Sequence, residues 1–218
     1  MNQAFTAVSQ SHGTAPLDVL AGLTLLALLP FALVTCTSFV RIVVVLSLVR
    51  SAIGASALPP NAVLSALALV LTAVVMSPTL QQIRRDALEP YARGALTQSQ
   101  ALARAAVPLE RFMLRQARAA DVRLFDRIAH RPHEAVQRAP FDVLVPAFVV
   151  GELRSGFAIG FALYLPFVAI DLAVAAILMG LGMVMLSPPV VSLPVKLLLF
   201  VMVDGWALVC GGVTASFR

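Results

Sequence analysis

Four ionisable side chains stand where apolar residues are the rule. Asp171, Lys196 and Asp204 punctuate the stretch DLAVAAILMGLGMVMLSPPVVSLPVKLLLFVMVDGW, residues 171–206, and Glu152 interrupts another apolar run within Gly151-Glu152-Leu153-Arg154-Ser155. Charges in apolar helices are expensive, so they face a partner charge, a cavity or an ion path. Asp171, Lys196 and Asp204 could carry protons, or they could only neutralise one another in a packed core. Lys196 and Asp204 are eight residues apart, about 12 Å along one helix, which is too far for a direct pair. Glu152 or Asp171, from another helix or another subunit, suits Lys196 better, and Lys196–Glu152 is the pair we expect.

A different chemistry is offered by Met183, Val184 and Met185, just before Ser187-Pro188-Pro189. Methionine is apolar and flexible, so it packs against changing partners. Proline lacks an amide donor and pushes the preceding residue out of helical angles, so the Pro-Pro pair ends one helix and turns the chain into another. Methionines at such a break suit a deformable constriction; composition alone also fits lipid-facing or core filler. Gly180 and Gly182 permit close approach of another backbone, or a bend. Gly156 and Gly160 are four apart, on one helix face, and suit tight helix packing.

No catalytic constellation accompanies these residues: there is no nucleophile elbow, no phosphate-cradling loop and no HExxH. His130 and His133 flank Pro132 in a turn, and two ligands do not complete a zinc site, so no metal and no cofactor is expected. Cys36 and Cys210 lie in apolar stretches and read as buried small residues, with a disulfide the lesser alternative.

The elements that must hold these groups are helices. Of 218 residues, 60% are hydrophobic and 12% charged, against about 25% charged in soluble domains. That bias and the long apolar runs indicate an integral membrane protein or part of a membrane assembly. The net charge of +5 resides in residues 81–140, with eleven arginines and six acids. Acids are interspersed and aromatic residues for base stacking are lacking, so nucleic-acid binding is not expected. The first sixteen residues contain no Lys or Arg, so no cleavable signal peptide is evident.

Four segments follow: a polar N-terminus (1–16), apolar helices (17–78), a polar arginine-rich segment (79–140) and an apolar region with the constriction (141–218). Leu17–Cys36 has bilayer-crossing length, whereas Phe39–Val49 is too short to cross at about 20 residues per span. Ala62–Met76 should be a helix closed by Ser77-Pro78. Pro108 suits a first helical position. Leu109, Phe112, Met113, Ala117, Ala120, Leu124 and Ile128 then mark one amphipathic helix for a partner surface or a membrane surface. Gly151–Ser155 should break the next apolar run. Phe157–Leu186 reads as one kinked helix or two, and the last helix as Val191–Phe217. Four membrane-type helices is the simplest count. The positive-inside rule puts the arginine-rich segment in the cytoplasm, although the rule weakens for loops of about 60 residues. No internal repeat is evident, which counts against an inverted-repeat transporter.

Several stretches together resemble one family: SFVRIVVVLSLVR (38–50), LPPNAVLSALALVLTAVVMSP (58–78), FMLRQARAADVRLF (112–125), LVPAFVVGELRSGFAIGF (144–161) and residues 169–206. They are similar to the FliP/SctR (YscR, HrcR) family, the R component of the type III secretion export apparatus and its flagellar counterpart. The lack of a signal peptide looks more like the virulence-type members. The resemblance implies an all-α chain, not an enzyme, that assembles as a five-copy ring with four small Q/S-type subunits and one R/T-type subunit. That assembly is the entry portal for unfolded exported proteins at the bacterial inner membrane, and it extends to the periplasmic side. The polar segment is then periplasmic, against the charge rule. The resemblance also implies a methionine gasket closing the pore, at Met183, Val184 and Met185 here, with valine at 184 a departure from three methionines. A stand-alone transporter or proton channel using Asp171, Lys196 and Asp204 is the alternative.

Overall fold

The computed structural model describes residues 23–24, 27, 30–54, 59–130, 139–183 and 185–217. The chain divides into a unit ending at Val34 and a larger one from Thr35 onward. In the first, residues 30–34 are helical and Phe31 is exposed. Half of the apolar run 17–36 and the linker residues 131–138, His133 among them, lie outside the described residues, as does Val184.

The larger unit is all-helical among its described residues. Helix α1, Phe39–Ile53, has the length of a buried helix rather than a span. Ile42, Val45, Leu46 and Val49 recur at helical spacing and are essentially fully buried, which makes α1 the central element. Gly54 ends it at φ 85°, a left-handed conformation that costs glycine little.

Helix α2, Asn61–Ile83, runs on through a π-helical turn at Arg84–Leu88 to Ala92. Ser77-Pro78 therefore does not close it. An interior proline costs about 3 kcal/mol, and here burial of Met76 and Thr79 on either side keeps the helix continuous.

In the polar segment, α3 is Gln98–Gln116 and α4 is Ala119–Ile128. Pro108 is inside α3 rather than at its start. The start is set ten residues upstream by a capping box, in which the Gln100 amide donates to Thr97 Oγ1 and the Thr97 amide to Gln100 Oε1. The expected single amphipathic helix is two, because Ala117 and Arg118 adopt extended angles between α3 and α4.

Helix α5, Phe141–Gly180, is 40 residues long, about 60 Å, twice a bilayer's apolar thickness. Gly151–Ser155 does not break it: Glu152 is held by a base on another helix, so its charge makes no demand on the backbone. Helices α6, Pro188–Met202, and α7, Gly205–Ala215, replace the single last helix we expected. They bend by 66° at Val203–Asp204. Asp204 is left-handed (φ 50°), and the Phe200 ring lies so close over Gly205 that a Cβ there would meet it at 2.3 Å.

Two helices, Asn61–Ala92 and Phe141–Gly180, are long and apolar enough to cross a membrane, and the bent α6–α7 pair makes a third if it is one span. One core surrounds α1 with Leu64, Ala68, Phe167, Phe200 and Val209. A second lies under the polar segment, around Phe112, Met113, Val143 and Phe148. Phe217 packs against both cores.

A clasped hairpin with a methionine tip

The α5–α6 hairpin is closed at its base by side chains. Lys196 Nζ donates to Asp171 Oδ2 at 2.5 Å and to the Ala52 carbonyl at 3.2 Å, and Ser192 Oγ donates to Asp171 Oδ1 at 2.6 Å. Ser192 and Lys196 are four apart on α6, so they present one face to Asp171 on α5. Lys196 is 5% exposed. Its contact with Ala52 at the end of α1 ties the hairpin to the central helix.

The tip begins where α5 ends. The Gly182 amide donates to Met179 O and the Met183 amide to Leu178 O, with Gly182 left-handed at φ 73°. This is a Schellman ending, which places glycine at the one position that resists a side chain. Pro188 then opens α6 in its first turn, where its missing amide costs nothing. Nine residues separate Asp171 from Gly180, so the tip stands about 13 Å beyond the clasp. Met183 and Leu186 are exposed, and Met185 is 101% exposed. Flexible apolar side chains thus project from a stalk whose base is fixed.

Glu152 does not meet Lys196. It lies nineteen residues before Asp171 on the same helix, about 28 Å away, so one lysine cannot serve both. Its partner is Arg41 of α1, Nη2 to Oε1 at 2.5 Å, with both side chains buried. Arg41 Nη1 also donates to the Ser216 carbonyl and hydroxyl, and Nη2 to Gln116 Oε1. The Phe217 ring lies 3.9 Å from the guanidinium carbon, a cation–π contact. One arginine therefore joins α1, α3, α5 and the chain's last residues. Arg154 pairs with Asp121 of α4 at 3.0 Å. Asp204 stands apart, exposed at the α6–α7 bend.

Gly156 faces Val44 and the Arg41 carbonyl, and a Cβ at Gly160 would meet the Leu48 side chain at 2.3 Å, so α1 and α5 touch through these two positions. Gly180 and Gly182 have open space around them within the chain, and Gly182 acts through its backbone angle instead. No group of three metal-ligating side chains occurs among the described residues, and Cys36 and Cys210 are both free thiols.

Sequence reasoning missed Arg41, Gln116 and Ser192. Two of them carried a signal. Arg41 is a lone base inside an apolar run, and Ser192 lies one turn from Lys196.

Fold and site define a class: a chain that is all-helical among its described residues, with apolar helices of membrane length and a Lys196–Asp171 ion pair that clasps a proline-ended hairpin. The chain belongs to the FliP family, whose model matches residues 22–213. It is 47% identical over 205 residues to the flagellar biosynthetic protein FliP of Pectobacterium carotovorum subsp. carotovorum, covering 94% of this chain and 80% of that one. It is 39% identical over 214 residues to the FliP of Bacillus subtilis (strain 168), covering 98% and 97%. With the FliP of Buchnera aphidicola subsp. Acyrthosiphon pisum (strain APS) it shares 43% over 206 residues, 94% of this chain and 54% of that longer one. These relatives carry flagellar names, so the preference for a virulence-type member is not upheld. It rested on residues 1–16, a segment outside the described residues that says nothing about the chemistry of the helices.

Proposed function

We propose that this chain is a non-enzymatic subunit of the flagellar protein-export apparatus, and that copies of it surround a shared axis closed by the loop Met183–Met185. The observation that carries this is the tip: a fully exposed Met185 on a hairpin whose base is fixed by Asp171, Ser192 and Lys196. Exposed methionines on a rigid stalk seal against their counterparts at rest and deform around a passing chain. The mechanism is steric. The sequence carries no nucleotide-binding motif, so the energy comes from other components.

The finer features follow the family resemblance: five copies, small Q/S-type and R/T-type partners, unfolded protein substrates, an inner-membrane site and a periplasmic polar segment. The relatives' names favour a flagellar over a virulence setting. Large exposed apolar side chains on α2, α5 and α6, such as Val70, Phe161 and Val201, suit burial against sister copies and lipid. A stand-alone transporter fits less well. Asp171 and Lys196 are spent on each other, and Asp204 sits eight residues further on at a separate bend, so the three do not line one path.

Native mass measurement after gentle detergent extraction tests the assembly. A multimer of this chain with other small membrane proteins attached is expected. A monomer that transports solute alone in liposomes would favour the transporter.

A further inference from the structure

Helix α3 carries three arginines in one stripe. Arg104, Arg111 and Arg115 are seven and four residues apart, which places them within about 40° of one another along roughly 16 Å of helix. All three are exposed, and none meets a carboxylate among the described residues. Glu110, the one acid on α3, lies about a third of a turn away. Val107, 40% exposed, borders the stripe. The packing of α3 fixes where the stripe stands. Its Phe112 ring meets Phe148 of α5 at 5.9 Å between centroids, beside Met76 of α2. These are the two helices long and apolar enough to cross a membrane. Apart from Phe141, the large exposed apolar side chains of α5 begin at Phe157 and continue through Phe161, Leu165, Leu172 and Ile177. Phe157 is nine residues past Phe148, about 13 Å along α5. Helix α3 therefore lies at the edge of the headgroup layer, which adds about 5–8 Å beyond the hydrocarbon on each side of a bilayer.

We propose that Arg104, Arg111 and Arg115 form a docking site for anionic phospholipid headgroups, in the leaflet on the polar segment's side. A guanidinium fork pairs with two phosphate oxygens at once. An apolar neighbour such as Val107 settles at the boundary between headgroups and acyl chains. Cations beside a membrane-crossing helix are drawn to a negatively charged bilayer surface. Sister copies are a poor source of countercharge, because each brings the same net charge of +5. The site depends on α2 and α5 entering a bilayer, and on neither a ring nor the methionine closure.

The full chain, purified in neutral detergent, is incubated with equal amounts of phosphatidylglycerol and phosphatidylcholine, and native mass spectra count which lipid stays bound. Phosphatidylglycerol should be retained in about tenfold excess. Arg111→Gln should cut that excess about fivefold, and Arg104→Gln with Arg111→Gln and Arg115→Gln should abolish it. Arg50→Gln removes the same single charge at the far end of α2, beside Asn61, and should leave the excess unchanged. No lipid preference in the parent, or equal losses from Arg111→Gln and Arg50→Gln, overturns the proposal. In native membranes, a photo-crosslinker at Val107 should yield lipid adducts. A polypeptide product there, with a sister copy or with an acidic protein, overturns it.

Discussion

Lys196 Nζ lies 2.5 Å from Asp171 Oδ2, 25 residues earlier in the chain, and this contact fixes two antiparallel helices below an exposed methionine tip. Lys196 is buried whereas the Asp171 side chain is 38% exposed, so losing the acid strands a base that water cannot reach. Asp171→Asn should destabilise the detergent-solubilised chain by about 1–3 kcal/mol, a buried-pair cost reduced for solvent screening. Denaturant unfolding measures it. Asp171→Leu with Lys196→Met removes both charges and should recover most of the loss. A double variant no more stable than Asp171→Asn would mean that the clasp acts through shape and not charge.

The Arg41–Glu152 pair should be the more costly to break, because both side chains are buried and Arg41 has four further attachments. Arg41→Ala should cost about 3–5 kcal/mol. It should also free the last residues, seen as faster removal of the C-terminus by carboxypeptidase. Glu152→Gln should cost less, since an amide oxygen still accepts from the guanidinium. Equal losses from the two variants would contradict this ordering.

The glycines separate packing from backbone geometry. Gly160→Val places methyl groups against Leu48 and should cost about 1–3 kcal/mol by overpacking, weakening α1 against α5. Gly182→Ala forces a side chain into the left-handed region, at about 1 kcal/mol. Gly180→Ala meets nothing and should be neutral or slightly stabilising. Unfolding midpoints that rank Gly180→Ala with Gly160→Val would contradict the packing seen here.

The helical class and the hairpin were legible because apolar period and proline position are local signals. The break at Pro188-Pro189 and Gly156 with Gly160 on one face follow from local sequence, although the helix after the break begins at Pro188 and not at Val191. What was not legible depended on contacts distant in sequence. Glu152 pairs with a base 111 residues earlier, and nothing in the spacing of α5 distinguishes that partner from Lys196. Pro78 and Pro108 look like boundaries because a proline costs a hydrogen bond, yet both lie inside helices, where burial of neighbouring residues outweighs one lost bond. The bend at Asp204 depends on the Phe200 ring lying over Gly205, a packing event without a sequence motif.

Ion conductance of membranes holding the assembled protein, at rest and without substrate, tests the methionine closure most directly. Met183→Ala with Met185→Ala should leave the assembly's native mass unchanged and raise the resting leak well above that of the parent. An intact assembly with unchanged resting conductance would contradict closure by this loop.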